Sequence, residues 1–580
     1  MDNKEDVQIE SAPNQDNHDH HHYGHDARIV PIQQEAVEDA RHINLSWRSW
    51  LVVFITCFAI MAQVFVVVAA GSVIAFIIRD LGEPSLAGWI IQGPLLMQSV
   101  LSPIIGRLSD VLDRKYLASI PPVIAFVGAV ISAKATSMSM LIGGGILIGT
   151  TLSSISIVQA ILSEILPLKY RTLANGFAFL GGAIGGLVGS LGAGGVTNAN
   201  ASGWRNIFWM QAAFHLATAV GFLAFYWPPR ASDYPKMSFA DYVWACDPIG
   251  SGLFISAATL LLLALDWASG AYAWSNPHVA APLSIGLVLL LVFCLYEWKG
   301  RKDGLVAHVF FQGSPNFALA VFAFAVEGWI FYSAVNSVTP QIVLNLGFES
   351  NAWAISVRQL SFTVTILAVS IPITLYATHF KDMKSPLIVT FAMFLIVSIC
   401  YATIKPTWNK PQIGFNVISG IGQSGPLTLL VAYVQFTAPH AFLSTATGLA
   451  FSARAIGGAF GSAVIDAIVG GYINSHYASA VASAAIAAGL PESSVAGLLT
   501  SIAAGGVEPV PGATPEVWAA AMDASHWSYA HAYRLAWASV IPFVVLALIA
   551  VTFLKGVKEL MTEKVEATVE RVPEVEKAGA

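Results

Sequence analysis

Two residues in this sequence stand where charge is costly. Glu327 lies within FAVEGWIFYSAVN and Arg454 within GLAFSARAIGGAFGS, each inside an apolar run long enough to cross a bilayer. Each falls about eleven residues into its run, roughly 17 Å along a helix and near the middle of a ~30 Å hydrocarbon core. A carboxyl group at that depth can take up and release a proton. An arginine at the same level can tune the exchange, since burial and a nearby guanidinium push in opposite directions. The same two residues also fit a static buried pair that fixes helix register. His215, midway along another apolar run, is a third candidate for proton coupling, or a satisfied core histidine.

These groups need a membrane around them, and the composition supplies one. Of 580 residues, 56% are hydrophobic and 11% charged, against about 25% charged in soluble domains. A net charge of −6, spread over loops and tails, suggests no nucleic-acid partner. The partners implied are the lipid bilayer, a small-molecule substrate and protons, for a chain expected to be monomeric. Cys57, Cys246, Cys294 and Cys400 read as buried small hydrophobes, not as a disulfide framework or a metal site. No cofactor is expected. No ATP-binding G-x-x-x-x-G-K-[ST] string occurs, and no paired catalytic constellation marks an enzyme.

About fourteen apolar segments of helical length follow a polar tail, so the fold class is an all-α polytopic membrane protein. Residues 1–46 form that tail, expected to be disordered, and its HDHHHYGHD tract reads as solvated low-complexity sequence. Alternate loops hold Arg107, Arg114, Lys115, Lys169, Arg171 and Lys299 among other basic residues, while the opposite loops are poorer in them. The positive-inside rule then places both termini in the cytoplasm, with the plasma membrane as the expected location. Asn200-Ala201-Ser202 falls in an outer loop, making Asn200 a glycan acceptor site. Residues 473–533 are alanine-rich, hold no Lys or Arg, and are expected to form an outer loop with short surface helices. The tail from 557 to 580 is expected to be a frayed, solvated helix on the cytoplasmic side.

The chain repeats itself. GFAFLGGAIGGLVGS, from Gly176, recurs 272 positions on as GLAFSARAIGGAFGS, with Gly182 replaced by Arg454. The same offset carries Asp110 onto Asp382. Two six-span bundles result, 47–230 and 304–556, with two linker spans at 231–303. Repeated halves with a site between them mark secondary transporters.

GRLSDVLDRKYL, from Gly106 to Leu117, resembles the signature loop of the major facilitator superfamily, whose glycine, aspartate and basic pair match Gly106, Asp110, Arg114 and Lys115. The resemblance implies a conformational switch formed by these residues together with Asp382. The repeat's first copy resembles the superfamily's antiporter signature at Gly181, Gly185, Gly189 and Gly194. It departs at Ser190, where the family has the proline that would kink the helix. Gly145 stands where drug:proton exporters often carry an arginine, which removes that route of proton coupling. Further strings are similar to the fungal fourteen-span drug:proton antiporter branch, typified by trichothecene efflux pumps: Asp247-Pro248-Ile249-Gly250 opens one linker span and Tyr296-Glu297-Trp298 closes the next. Fungal siderophore–iron transporters share the layout.

The resemblance implies a cavity lined by the first and fourth spans of each half, hence Gln63, Gln159, Trp329, Tyr332, Asn336 and Gln423. The function expected is proton-coupled efflux of small amphipathic toxins, drugs or secondary metabolites by alternating access. The alternatives are proton-coupled uptake of ferric siderophores and a transporter-like nutrient sensor.

Overall fold

A computed structural model describes residues 47–562 apart from 84–85, 87, 113, 167, 201, 228–237, 269–271 and 504–509. The histidine-rich tract and most of the expected C-terminal tail lie outside the described residues. Fourteen helices are long and apolar enough to cross a membrane. We label them α1 (Trp47–Ser72), α2 (Trp89–Val111), α3 (Arg114–Ala133), α4 (Met138–Ile165), α5 (Leu168–Ala199) and α6 (Arg205–Phe225) in the first half. The inserted pair is α7 (Pro248–Ala268) and α8 (Pro277–Gly300). The second half holds α9 (Asn316–Asn345), α10 (Ala352–Phe380), α11 (Lys384–Tyr401), α12 (Asn409–Thr437), α13 (His440–Ala487) and α14 (Pro515–Thr552). The face bearing Trp47 and Thr562 is called the terminal face below.

The halves meet most extensively along two helix pairs, α2 with α13 and α5 with α10. Small residues let these backbones close up, as hydrocarbon surroundings favour. A Cβ on Gly106 of α2 would run into the Ser444 carbonyl of α13, and one on Gly448 of α13 would lie 2.5 Å from the Ser102 carbonyl of α2. Within the first half, Gly181 and Gly185 press α5 against the Cys57 and Met61 carbonyls of α1. Gly457, the repeat equivalent of Gly185, presses α13 against the Ala325 carbonyl of α9 in the second. Gly189 has ordinary room, while Gly194 faces Ser356 of α10. The α-helix containing Ser190 runs unbroken from Arg171 to Ala199, in keeping with the missing proline.

The inserted pair packs on the outside. The most apolar stretch of α8 is 17% buried, and Leu287, Val288, Leu291 and Leu295 are exposed, as a lipid-facing helix requires. The α7–α8 pair rests on α2 through Val100, Phe254, Phe293 and Leu305.

The 473–533 segment differs from its expectation. Instead of a loop with short surface helices, α13 continues to Ala487 and α14 begins at Pro515, with the short helix Val495–Ala503 between them. Alanine-rich sequence favours helix continuation. Val481, Ala485, Leu490, Leu498, Val517 and Ala521 give these extensions a small core of their own.

Candidate functional site

Three of the helices that bear polar side chains at mid-depth are irregular. The helix of α9 changes to π-helical winding from Trp329 to Val338, a local widening that often accompanies function. α12 is interrupted at Ser424 and Gly425, between the helical stretches ending at Gln423 and starting at Pro426. α4 breaks at Ser154. The two breaks fall in repeat-related spans and leave polar groups directed inward.

Glu327 and Arg454 do pair. Arg454 donates from Nε to Glu327 Oε2 at 2.5 Å and from Nη2 to Oε1 at 2.9 Å. The Gln423 amide also donates to Oε1. From its Nη1, Arg454 donates to the Tyr332 hydroxyl at 2.7 Å, and that hydroxyl donates to Gln98 Oε1 at 3.3 Å, across to the first half. The guanidinium also lies 4.8 Å and 4.7 Å from the ring centres of Phe331 and Tyr332, a cation–π seat. Glu327 is fully buried and Arg454 nearly so. Gly328 permits this closeness, because a Cβ there would strike the Arg454 backbone carbonyl.

Beside the pair lies a cavity between the halves. Arg454, Tyr332, Asn336 and Gln423 line one side, and Gln63, Gln98 and Gln159 the other. Val64, Val67, Phe179, Phe331 and Phe451 supply apolar wall. Gly182, Gly186 and Ser190 of α5 keep that wall thin. Gln63 donates to the Thr151 carbonyl at 2.7 Å, but its Oε1, like Oε1 of Gln159 and Nδ2 of Asn336, is buried with no hydrogen-bond partner among the described residues. Such groups are costly to bury idle and are set to meet a ligand or water.

Two expected members are elsewhere. Trp329 packs against Phe460 and Phe543, with ring centres 5.5 Å and 4.6 Å away, and is absent from the cavity wall. Span membership gives depth, whereas the facing direction depends on local winding. His215 is fully buried in α6, with neither ring nitrogen hydrogen-bonded among the described residues. It belongs to neither the cavity wall nor the central pair. Gln98 and Gln359 do line the cavity. Their signal was a glutamine in an apolar run, but on spans outside the expected lining set.

The loop after α2 forms a network at the terminal face. Asp110 accepts from the Ser444 and Thr445 amides at 3.1 Å and 2.8 Å and from the Thr445 hydroxyl at 2.7 Å. These are the first residues of the α13 α-helix, where unpaired amides welcome a carboxylate. Arg114 joins Asp110 at 3.2 Å to Glu164 of α4, and Glu164 lies 3.3 Å from His440 of the second half. Lys115 sits over the Trp227 ring. Sequence reasoning missed Glu164 and His440, since a carboxylate at a span end resembles any loop charge. A second junction links Arg171 Nη1 to the Gln435 carbonyl at 2.9 Å and Asn175 Nδ2 to Gln435 Oε1 at 2.8 Å.

Asp382 does not reproduce Asp110. Its Oδ1 accepts from the Lys384 and Ser385 amides at 3.0 Å and 3.2 Å, a local cap at the start of α11. Burial works against ionisation here, but the hydrogen bonds from Ser385, Lys384 and Tyr376 outweigh it and hold the carboxyl below the usual range. A depressed carboxyl stabilises above its unfolded value, about 3.9, and that contribution is lost as pH falls through the folded value. Asp382→Asn should therefore cost no more than about 1 kcal/mol. In thermal melts it should flatten the acid limb while leaving transport near wild type.

A membrane protein with two similar six-helix halves, a polar-lined central cavity and a charge network bridging the halves is a solute transporter. The chain belongs to the Major Facilitator Superfamily, whose sequence profile matches residues 50–462. It is 27% identical over 505 residues to the MFS-type transporter prx5 of Penicillium rubens, covering 86% of this chain and 89% of that one. It is 25% identical over 451 residues to the Acurin A biosynthesis cluster MFS-type transporter of Aspergillus aculeatus, covering 76% and 77%. Among solved structures it resembles a double-tryptophan XylE mutant (TM-score 0.53, 14% identity, 89% and 99% covered). It also resembles the human organic anion transporter MFSD10 (TM-score 0.51, 12% identity, 87% and 99% covered). Both structures share the fold.

Proposed function

We propose that this transporter exports small amphipathic secondary metabolites in exchange for protons, with Glu327 as the proton carrier. The observation that carries the reading is the Glu327–Arg454 pair, buried against the cavity and joined by Tyr332 and Gln98 to the opposite half. With Glu327 ionised, the Glu327–Arg454–Tyr332 arrangement holds the cavity in the form that binds substrate; protonating Glu327 breaks the pair and expels the substrate, so proton and substrate occupy the site in turn. Alternation of this kind couples two ligands through one charge pair. The apolar wall with idle amide groups suits a substrate with carbonyls or hydroxyls on a hydrophobic frame. Similarity to a transporter from a biosynthesis cluster supports efflux of a cluster product over iron uptake. The plasma membrane, with both termini cytoplasmic and Asn200 outside as a glycan acceptor, completes the proposal.

Liposomes with an internal pH dye test it. Adding a metabolite extract from a producing fungus should drive substrate-dependent proton movement opposite in direction to metabolite movement. Metabolite flux unaffected by collapsing the proton gradient would reject proton coupling. Growth on ferric siderophores as sole iron, in yeast expressing the chain, would reject efflux.

A further inference from the structure

The two strings bracketing the inserted helices, Asp247-Pro248-Ile249-Gly250 and Tyr296-Glu297-Trp298, each contribute an acid that the transport reading leaves unused. We propose that Asp247 and Glu297 share one proton, forming a proton-binding site at the terminal face that seats the inserted helices on α2.

Both acids are buried, Asp247 at 0% and Glu297 at 4% exposure. Glu297 Oε2 accepts from the Val306 amide at 2.9 Å. Its Oε1 has no donor among the described residues and faces Asp247 Oδ2 across Gly250, where a single added Cβ would meet both oxygens. Two glycines press the acids together. A Cβ on Gly304 would lie 2.5 Å from Glu297 Oε2 and 2.9 Å from Asp247 Oδ2, and one on Gly250 would strike both side chains. Asp247 itself is well supplied. Its Oδ1 accepts from the Gly250 amide at 3.0 Å, the helix-capping role expected of an acid there, and from the Tyr296 hydroxyl at 3.2 Å. Oδ2 accepts from the Leu305 amide at 3.0 Å. What the cluster lacks is a hydrogen between Asp247 and Glu297 Oε1.

Charge counting gives the same answer. Asp247, Glu297 and Asp303 bring three negative charges. Arg301, 3.6 Å from Asp247 and 3.1 Å from Asp303, brings one positive charge. Arg107 of α2 brings a second, donating to the Ala245 and Asp303 carbonyls at 2.8 Å and 3.1 Å. One proton makes the buried group neutral. The remaining titratable neighbours do not fill the gap: His308 meets the Glu297 backbone carbonyl at 2.9 Å, and Cys246 flanks the arginines. A metal ion fits less well than a proton. The amides of Gly250, Leu305 and Val306 already aim their positive ends at these oxygens, and a metal would need several more oxygens around it.

The shared proton closes the loops at both ends of the inserted pair onto each other. Arg107 ties them to α2, one residue beyond the tight contact at Gly106. The folded protein then holds a proton that the unfolded chain releases at neutral pH. Stability therefore falls as pH rises until that proton leaves.

Purified wild-type and Glu297→Gln proteins, compared without substrate, test this independently of transport. From roughly pH 6 to pH 9 the wild-type melting midpoint should fall, and the variant's should fall less by one proton's share, because an amide donates to Asp247 at every pH. Infrared spectra at neutral pH should show one protonated carboxyl fewer in Glu297→Gln. Should that variant not fold, Asp247→Asn enters the same two comparisons. Parallel pH profiles, or equal numbers of protonated carboxyls, would overturn the proposal.

Discussion

Arg454→Gln is expected to destabilise the protein by about 3–5 kcal/mol, because it strands the Glu327 carboxylate in a buried, low-dielectric site. Glu327 is fully buried, and its one charged partner among the described residues is Arg454. Gln423 alone cannot balance a full charge. Glu327→Gln should be costly for the mirror reason, although Tyr332 and the surrounding rings still hold the guanidinium. The double variant Glu327→Gln/Arg454→Gln should recover most of the lost stability, since neutral replacements of a buried pair are often tolerated. Transport separates structure from function. The double variant should fold yet fail to couple substrate movement to a proton gradient in liposomes. Intact proton-driven transport in the double variant would reduce the pair to a helix-register device.

The second large effect lies at the terminal face. Asp110→Ala removes three hydrogen bonds to Ser444 and Thr445 of the other half and the pairing with Arg114. Bonds to charged groups are worth about 1.5–3 kcal/mol each, so the net loss of even one shifts an open–closed equilibrium about tenfold. In a background without the four native cysteines, Ser444→Cys provides a reporter, because Ser444 is fully buried beneath the network. Adding Asp110→Ala should raise its labelling by a membrane-impermeant maleimide about tenfold or more. Equal labelling rates would show that these contacts do not hold the halves together. The contrast with Asp382→Asn, expected to be mild, isolates the cross-half bonds from ordinary helix capping.

Gly182 and Arg454 illustrate how far linear pattern carries. Both occupy the same place in the repeat, yet Gly182 thins a cavity wall while Arg454 projects a charge into the same space. Chain counting put Glu327 and Arg454 at one depth, and the two do pair. It gave fourteen spans, the inserted pair and the resemblance of the loop at Gly106, because hydropathy, length and spacing are properties of the chain itself. Alanine-rich helix continuation at α13 and α14 was legible in principle from propensity, but the polar character of 473–533 concealed it.

What the tertiary structure decided is direction around each helix axis. Trp329 and Tyr332 share one π-helical stretch, but Trp329 turns to Phe460 and Phe543 while Tyr332 turns to Arg454 and Gln98. Asp110 and Asp382 share a repeat position, but Asp110 meets helix amides of the opposite half while Asp382 caps its own helix. His215 sits at a plausible depth and faces neither the cavity nor the charge pair. Depth follows from counting residues at 1.5 Å each. Facing direction follows from how fourteen helices pack against one another, and no single stretch of sequence contains that arrangement.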